Sequence, residues 1–505
     1  MSGMQGLMAL HSRFVEQDFA DRARLKAEAM EAYMHRATAS GLLGDGRLAD
    51  MADVEAANLL NPDGLFLGAF QGRMLFFNGD ESLLTYLRTG GGKGRDLVLP
   101  TLAHSKNRSL IVIDVKDAEN AYASQRHRAE TLKSRCVYLN PFGLLGLPNT
   151  KINPLQIVID LVRGKRPIGT AAKEIAEILL PPNPKAGDNA WVRKGAVRLL
   201  ALRIEWLARF DPDKCSLAGL WEFPNAGDDE MDTAFAVMAS CGVIGIERRA
   251  KAFRATWANA EKQFEAYKSE AIEALDVFEL GNELDIATSA HEFDFSRLKH
   301  EPHTVYLTVP SSKLSVAAPW ISLIINYAIE TIAQEAGALT TTFLLDEFPQ
   351  LPPAPAILKA LRLYRGKGIQ MWFFAQGRFS MEDRWSRDAV KEIEDQAGVM
   401  TMKHVQSPEL IRDIQMWSGN TTILTRGKNH SGGKIETASD SLGETKRPVL
   451  QSEDILGLGE RQIIKVARMP RLFVCDTVPF YRVDPWKDQI LDVRRLHRGS
   501  EDGET

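Results

Sequence analysis

The apolar residues of this chain concentrate in short, continuous runs that fall into two separated blocks. The first block contains SLLTYL (82–87), SLIVID (109–114) and CVYLN (136–140). The second block contains TVYLTV (304–309), TTFLLD (341–346), IQMWFFA (369–375) and GVMTMKHV (398–405). Because most of these runs are uninterrupted rather than alternating, they are typical of parallel strands that are buried on both faces. We therefore predict a mainly parallel sheet to which both blocks contribute.

Helical patterns lie between the strand runs. Segment 353–368 places side chains at positions i, i+3, i+4 and i+7 of one helical face, namely Ile357, Ala360, Leu361 and Tyr364. Two glycines, at 366 and 368, are expected to end this helix. Strands that alternate with helices predict an α/β fold of βαβ units. Segment 64–77 is predicted to be a hairpin, because short apolar runs flank Gln71-Gly72.

The pattern also divides the chain into segments. Between the two strand blocks the strand signals vanish and amphipathic helices follow one another, so we predict an all-helical domain inserted into the α/β domain. The predicted segments are a helical arm (1–58), the first part of the α/β domain (59–166), the helical domain (167–297), the second part of the α/β domain (298–490) and a polar tail (491–505). We expect the arm to pack on the body or on a neighbouring subunit.

One long segment within the second part lacks an apolar pattern. Residues 426–447, RGKNHSGGKIETASDSLGETKR, are rich in glycine, serine and charged side chains. Such a composition is typical of connections that run over a protein surface. We therefore predict a mobile surface loop here.

The amino-acid composition limits the classes of protein to which this chain can belong. The chain has 505 residues, 44% of them apolar and 25% charged, which indicates a folded protein and excludes a disordered one. A net charge of −4 argues against a broadly basic nucleic-acid coat, although a local basic channel stays open. The four cysteines form no CxxC pair, which argues against zinc and thioredoxin-type sites and suits a reducing cytoplasm.

The longest apolar stretch, residues 316–333, bears on membrane insertion. It contains Pro319, Asn326 and Glu330, so we expect a buried core helix rather than a membrane span. The N-terminus lacks the charged region and the long apolar run of a signal peptide. The sequence therefore predicts no transmembrane segment.

A glycine-rich turn follows the strand run 82–87. Six residues of this turn are candidates for binding the phosphates of ATP, namely Thr89, Gly90, Gly91, Gly92, Lys93 and Gly94. In such a turn backbone N–H groups converge on a phosphate, and the lysine reaches the β and γ phosphates. The match to a Walker A loop is imperfect, because Leu87 stands where glycine is usual and Gly94 stands where Ser or Thr is usual. A plain glycine turn is the alternative.

A second signal comes from FLLDEF, residues 343–348, which has the layout of a Walker B strand. Asp346 would then hold Mg²⁺, and Glu347 would polarise the attacking water. Alone, the segment could equally be a strand that ends in an exposed acidic turn. Together with Lys93 it favours a nucleotide site, since both motifs follow strands of one parallel sheet.

Two further polar residues belong to the same hypothesis. Gln376 ends the run IQMWFFA, where its side chain could sense the γ-phosphate. Arg365 lies 11 residues upstream and could stabilise the transition state on a neighbouring subunit's nucleotide, or could cap its own helix. Residues 114–117, DVKD, are expected to be a charged turn rather than catalytic.

Together these motifs resemble the type IV secretion coupling proteins, the conjugative DNA-transfer ATPases. The similar segments run in order through residues 64–486 and include TGGGKGRDLVLPTL, SLIVIDVKDAE, FLLDEFPQLPP, RPVLQSEDILGL and VPFYRVDPW. The resemblance implies a RecA-like P-loop NTPase domain that carries an all-helical domain. It also implies a homo-hexameric ring that uses ATP and Mg²⁺ to pass DNA, with attached relaxase and relaxosome proteins, to the components of a type IV secretion channel.

The resemblance implies roles for individual residues. Lys93 would contact the phosphates, Asp346 would bind Mg²⁺ and Glu347 would activate water. Gln376 would sense the γ-phosphate, and Arg365 would act as an arginine finger in trans. Many members begin with a membrane-spanning segment, which is not seen here, so we expect a cytoplasmic protein that can attach to the inner membrane through a partner.

Two alternatives remain open at this point. Leu87 and the missing membrane segment are compatible with a non-hydrolysing adaptor that recruits DNA or protein substrates. A DNA-pumping or packaging ATPase outside secretion is the other alternative, against which the entry hairpin and the Asp-Glu-Phe-Pro run argue. DNA contact would be sequence-independent, and its candidates are Lys367, Arg378 and the basic ends of segment 426–447, each of which could equally be ordinary solvated charge.

Overall fold

The structure is a computed structural model that describes residues 2–36, 38–181, 190–351, 354–431 and 437–491. The chain divides into two units: a larger one, residues 50–405 with 458–505, and a smaller one, residues 1–49 with 406–457. The sequence analysis did not separate residues 406–457 from the α/β domain. The domain limits given above stay a prediction.

The strands are, in chain order, β1 (Leu65–Phe70), β2 (Arg73–Phe77), β3 (Ser82–Leu87), β4 (Ser109–Asp114), β5 (Arg135–Leu139), β6 (His303–Thr308), β7 (Thr341–Leu345), β8 (Ile369–Ala375), β9 (Ala397–Lys403), β10 (Asn420–Ser431), β11 (Thr437–Pro448), β12 (Arg461–Val466) and β13 (Phe473–Asp476). All but β10 and β11 join one sheet of the larger unit. Within the described residues its order is β2-β1-β13-β12-β9-β3-β8-β7-β4-β6-β5.

This sheet is mixed but mostly parallel. The strands from β9 to β5 run parallel, whereas β12, β13, β1 and β2 extend it in antiparallel fashion. Every residue of β3, β4, β6, β7, β8 and β9 is buried, as their continuous apolar runs require. The predicted α/β fold is confirmed, as is the hairpin around Gln71-Gly72. Strands β12 and β13 were not predicted.

The helices are, in chain order, α1 (Ser2–Arg36), α2 (Met51–Ala56), α3 (Leu99–His104), α4 (Glu119–Glu130), α5 (Gln156–Arg163), α6 (Gly169–Leu179), α7 (Ala190–Phe210), α8 (Leu217–Asn225), α9 (Asp228–Met238), α10 (Ile244–Asn259), α11 (Glu261–Leu275), α12 (Glu283–Thr288), α13 (Leu314–Gln334), α14 (Pro355–Leu363), α15 (Arg378–Trp385), α16 (Arg387–Gln396), α17 (Pro408–Ser418), α18 (Ser452–Leu456) and α19 (Trp486–Gln489). Helix α14 buries Ile357, Ala360 and Leu361 as its periodicity predicts.

A helical region separates β5 from β6. Its helices α7 to α11 enclose an apolar core of their own, in which Phe235, Phe253 and Phe264 are buried together with Met231. The ring centroids of Phe235 and Phe264 lie 5.8 Å apart in an edge-to-face arrangement. A separate core explains how this region folds as an insertion without interrupting the sheet.

Helix α13 contains the apolar stretch singled out from the sequence. Residues 311–334 are, by length and composition, apolar enough to cross a membrane, yet 78% of the most apolar 18-residue window is buried within the protein. Its acidic residue Glu330 accepts a hydrogen bond from Lys359 Nζ on α14 at 2.8 Å. Paired inside the protein in this way, α13 has the surroundings of a core helix.

The smaller unit corrects the predicted loop. Strands β10 and β11 pair antiparallel from Asn420 opposite Pro448 to Ser431 opposite Thr437, so most of segment 426–447 is a two-stranded ribbon. Residues 432–436 lie outside the described residues. The two strands of the ribbon are held together by backbone hydrogen bonds. Because both strands are polar, they lack the alternation of apolar and polar residues by which a strand is recognised in a sequence.

The same unit contains the predicted helical arm, α1. Several of its apolar side chains are more than half exposed: Phe14, Phe19, Leu25 and Tyr33. The expectation that the arm packs on the body or on a neighbouring subunit stays a prediction. Residues 492–505 of the predicted polar tail lie outside the described residues.

Candidate functional site

The glycine-rich turn joins the end of β3 to α3. Gly90 and Gly92 have φ angles of +75° and +94°, a left-handed conformation that favours glycine. A Cβ on Gly91 would lie 2.5 Å from Leu87 Cδ1, so Leu87 lies directly against the turn. The unusual Leu87 is therefore accommodated because residue 91 has no side chain.

The turn continues into an irregular first helical turn. Residues Gly94–Val98 form a π-helix, in which the N–H of Leu99 donates to the Gly94 carbonyl five residues earlier. Pro100 follows and has no N–H, so it cannot form the α-helical bond at this point. The Leu-Pro pair after the lysine thus shapes the end of the phosphate-binding turn.

Lys93 meets the acidic end of β7. Its Nζ contacts Asp346 Oδ1 and lies 2.5 Å from Glu347 Oε1. Gln376, directly after β8, donates from Nε2 to Glu347 Oε2 at 3.4 Å. The structure therefore brings together four of the residues singled out from the sequence, because β3, β8 and β7 are neighbours whose carboxyl ends share one edge.

Burial and charge oppose each other in this cluster. Burial raises the pKa of Asp346, and the nearby ammonium groups of Lys93 and Lys116 partly offset this rise. Burial also disfavours the ammonium of Lys93, but the charges of Asp346 and Glu347 outweigh it and raise the pKa of Lys93. Lys93 thus stays charged, as a phosphate ligand must.

Arg365 does not join this cluster. Its Nη2 lies 2.7 Å from Asp80 Oδ1 and 3.0 Å from Glu81 Oε1, just before β3 begins. Lys93 follows the other end of the same strand, and six residues at about 3.3 Å each separate the two ends by roughly 20 Å. Arg365 therefore lies at the amino edge of the parallel strands, remote from Lys93 of its own chain.

The segment 114–117 differs from the expected charged turn. Asp114 is completely buried, and it accepts hydrogen bonds from the Ala121 N–H at 2.9 Å and from Asn120 Nδ2 at 3.2 Å. Burial raises the pKa of Asp114 to about 7 against the effect of the Ala121 hydrogen bond, and the charge of Asp346 raises it further. Only the end of the segment, at Lys116 and Asp117, is exposed.

An ion network around the buried side chains of Lys403 and Asp96, which the sequence analysis missed, lies behind the turn. Lys403, at the end of β9, is 3.1 Å from Asp96 Oδ2 and 2.9 Å from Glu460 Oε2. Arg95 Nη2 donates to Asp96 Oδ2 at 2.8 Å and to Glu460 Oε2 at 3.0 Å. The network attaches the start of the helix to the end of β9 and to the residue that precedes β12. A lysine that ends an otherwise apolar run is the one sequence signal that pointed to it.

A cavity of about 300 Å³ opens over the turn. Its lining combines residues 87–95 with Lys116, Asn120 and Glu347, and with two aromatic residues, Phe480 and Tyr481. The aromatic pair belongs to the segment VPFYRVDPW, for which the sequence suggested no role. Left-handed glycines, a charged lysine, buried carboxylates and apolar surface form a donor set that fits a nucleoside triphosphate with Mg²⁺.

One candidate DNA contact has another role. Arg378 donates from Nε and Nη2 to the carboxylate of Glu394, at 2.8 and 3.1 Å, and both side chains are largely buried. Glu394 also accepts from the Tyr86 hydroxyl at 2.6 Å. This arrangement anchors α15 to α16 and β3 within the chain. Lys367, in contrast, is exposed.

Comparison with known proteins identifies relatives. Two conjugal transfer proteins TraG from Escherichia coli are each 22% identical to this chain, over 470 and 512 residues. The first alignment covers 82% of this chain and 71% of the relative, and the second covers 88% and 77%.

Solved structures share the fold. The bacterial conjugative coupling protein TrwBdeltaN70, in a trigonal form with sulphate, superposes with a TM-score of 0.65 at 13% identity, over 88% of this chain and 95% of that one. TrwB in complex with ADP and Mg²⁺ gives a TM-score of 0.61 at 12% identity, over 86% and 93%.

The family assignment rests on a match to most of the sequence. Residues 47–494 correspond to the family described as type IV secretory system conjugative DNA transfer. This span includes the glycine-rich turn, the Asp346-Glu347 pair and the inserted helices. The chain therefore belongs to the type IV secretory system conjugative DNA transfer family.

Proposed function

We propose that this chain is the ATP-hydrolysing coupling protein that delivers DNA, with attached relaxase, to a type IV secretion channel during conjugation. Family membership supports the process, and the complex of TrwB with ADP and Mg²⁺ supports the cofactors. The observation that carries the proposal is the convergence of Lys93, Asp346, Glu347 and Gln376 beside the glycine-rich turn.

The turn binds the phosphates in this proposal. Residues 89–94 supply backbone N–H groups, and Lys93 supplies a positive charge. In the structure Lys93 is paired with Asp346 and Glu347, so phosphate oxygens compete with these carboxylates for the same ammonium group. ATP then replaces one set of negative partners of Lys93 with another, and Asp346 becomes available as a ligand for Mg²⁺.

Hydrolysis requires an activated water beside the γ-phosphate. Glu347 is the proposed base, and its backbone is held at a φ of +48°, which is uncommon for a residue with a side chain. Gln376 lies within hydrogen-bond distance of the Glu347 carboxylate, so it can both orient the base and contact the γ-phosphate. Mg²⁺ supplies charge stabilisation to the phosphates when bound.

Arg365 completes the site from a neighbouring subunit. Since it lies at the amino edge of the strands, it is remote from the phosphates bound by its own chain. In a ring, the amino edge of one subunit can face the nucleotide of the next, where an arginine stabilises charge in the transition state. A site divided between subunits requires an oligomer, and we propose the homo-hexamer that the family resemblance implies.

The remaining proposed partners of the chain follow from the proposed transport of DNA. DNA phosphates in a ring would be bound without regard to sequence and with strong dependence on salt. Relaxosome proteins and channel components are the proposed protein partners, and we place the motor in the cytoplasm, at the inner membrane when a partner holds it there.

Steady-state ATPase assays test the proposal. We expect hydrolysis that rises with DNA and with protein concentration, and that Lys93→Ala abolishes. Lys106→Ala, which changes a lysine beyond the turn, is the matched control and should keep the wild-type rate. A wild-type protein that hydrolyses no faster than Lys93→Ala, with single- or double-stranded DNA, would return the chain to the adaptor alternative.

A further inference from the structure

The phosphate-binding turn lacks one ligand that Walker A loops usually provide. In those loops the residue after the lysine is Ser or Thr, and its hydroxyl binds the Mg²⁺ of the nucleotide. Here that residue is Gly94, so the turn offers no side-chain oxygen. An oxygen from another part of the chain can replace it only where it reaches the space that the missing hydroxyl would occupy.

Asn120 reaches this space. Among the described residues outside the local helix, its Oδ1 is the one heavy atom that lies within 4 Å of a Cβ built on Gly94, at 3.7 Å. Asn120 belongs to the first turn of α4 and lines the same cavity as the glycine-rich turn. A hydroxyl on residue 94 would therefore lie next to the amide oxygen of Asn120.

The side chain of Asn120 is held in place. The residue is only 5% exposed, and its Nδ2 donates to Asp114 Oδ1 at 3.2 Å. Since Nδ2 is the end of the amide that faces Asp114, Oδ1 is directed away from Asp114. Within the described part of the chain, Oδ1 itself has no hydrogen-bond partner. An amide oxygen that is free of partners at the wall of this cavity is available as a ligand.

We propose that Asn120 supplies, through Oδ1, the magnesium ligand that Gly94 lacks. The inference rests on the proposed nucleotide site. Mg²⁺ prefers oxygen ligands, takes few of them from the protein and accepts amide oxygens as well as carboxylates. Asp346 provides the carboxylate, and Asn120 provides a neutral oxygen in place of the hydroxyl.

A purely structural role for Asn120 makes different predictions. If the side chain only supports Asp114 and the start of α4, its removal weakens the fold without affecting metal binding in particular. A new hydroxyl on residue 94 would then restore nothing. Serine fits there, because a Cβ on Gly94 makes only an ordinary contact and the backbone is not left-handed.

The test measures metal binding directly. Free Mn²⁺ is followed by electron paramagnetic resonance in titrations of the full chain with saturating ADP at pH 8. We expect Asn120→Ala to weaken Mn²⁺ binding about tenfold. Gly94→Ser in the Asn120→Ala background should restore the wild-type affinity, and Asn120→Asp should retain or strengthen binding. Thermal unfolding of each variant checks that the fold is intact.

The outcomes separate the inference from the proposed function. Unchanged Mn²⁺ affinity in Asn120→Ala overturns the role of Asn120 while leaving the nucleotide site in place. Weakened affinity that Gly94→Ser does not restore assigns Asn120 to the support of Asp114 and also overturns the inference. A wild-type protein that binds no Mn²⁺ together with ADP contradicts the nucleotide site and the inference alike.

Discussion

The charged residues at the two edges of the parallel strands have different surroundings. At the carboxyl edge, Lys93 is paired with Glu347 beside a cavity, where phosphates can compete for it. At the amino edge, Arg365 is paired with Asp80 and Glu81 on the surface of its own chain. At the carboxyl edge a ligand can therefore replace the partners of Lys93. At the amino edge the chain itself already holds Arg365 in a fixed orientation.

A buried polar network beneath the amino edge accounts for this difference. Arg108 Nη1 donates to Gln370 Oε1 at 2.9 Å, and Gln370 Nε2 donates to the carbonyl of Glu81 at 2.8 Å. Burial lowers the pKa of Arg108 to about 10, which leaves it charged at neutral pH. The backbone that carries Glu81 is thus fixed from inside the sheet. The comparison teaches that the partners of Lys93 at the carboxyl edge can be replaced by a ligand, whereas the backbone that pairs with Arg365 at the amino edge is fixed by buried hydrogen bonds.

Removal of Arg365 is the strongest challenge to this comparison. Arg365→Ala should lower kcat about 10³-fold and leave ATP affinity unchanged, because the arginine acts on the transition state of a neighbour. ATPase rates and binding of a fluorescent ATP analogue measure the two effects. Arg362→Ala, which removes a surface arginine paired with Glu392 on α16, is the control and should be nearly neutral.

Mixed rings decide whether Arg365 acts in trans. A subunit that carries Arg365→Ala keeps Glu347, and one that carries Glu347→Gln keeps Arg365. Mixing the two inactive variants should recover part of the activity if the site is shared between subunits. Mixtures that stay inactive would falsify the division of the site between the two edges.

The carboxyl edge is tested by Glu347→Gln. We expect kcat to fall about 10²-fold while ATP binding persists, because an amide cannot accept the proton of the attacking water. Glu392→Gln changes a surface carboxylate and should leave the rate unchanged. A wild-type rate in Glu347→Gln would remove this residue from the chemistry and leave Lys93 and Asp346 as a binding site only.

A smaller effect is expected from the residues that hold the arginine. Asp80→Asn and Glu81→Gln should each lower kcat about tenfold with little change in KM, because Arg365 loses its fixed orientation. Their effects should disappear in the Arg365→Ala background, which double-mutant cycles measure. Full additivity with Arg365→Ala would mean that the acidic pair serves the fold instead. Glu55→Gln, at the surface pair with Arg73, is the control.

The smallest expected effect is a dependence of folding stability on pH that Asp114 causes. Its pKa of about 7 in the folded chain exceeds the value near 4 of an unfolded chain, so the folded state binds the proton more tightly. Stability from this group is therefore lost as pH rises from about 4 to 7. Between pH 5 and 8 the loss amounts to about 2–3 kcal/mol, and Asp114→Asn should abolish it. Urea-unfolding midpoints at several pH values measure the difference. Parallel curves of the urea-unfolding midpoint against pH for the wild type and Asp114→Asn would contradict the raised pKa of the buried Asp114 carboxyl.

Much of the fold follows from local pattern, and the exceptions have physical reasons. The runs 82–87, 109–114 and 369–375 coincide with β3, β4 and β8, because strands buried on both faces must be apolar throughout. Strand β12 was missed because RQIIKV places charged residues within a short run. The ribbon of β10 and β11 was missed because its strands are polar and pair through their backbones without an alternation of apolar residues.

The candidate site divides in the same way. That Lys93 and Asp346 meet could be predicted, since both follow strands of one parallel sheet. The proximity of Asn120 to Gly94, and of Lys403 to Asp96, could not be predicted, because it depends on which strands are neighbours. Sequence pattern reveals that a strand ends in a polar residue, but strand order is decided by long-range packing.

The place of β13 in the sheet has a consequence for synthesis. This strand, from near the end of the chain, pairs with β1, from near its beginning, and the residues that follow it line the cavity. The cavity over the glycine-rich turn therefore cannot be complete until residues 473–491 have left the ribosome. Contacts so distant along the chain form slowly. A nascent chain that still lacks these residues would hence have an unfinished cavity.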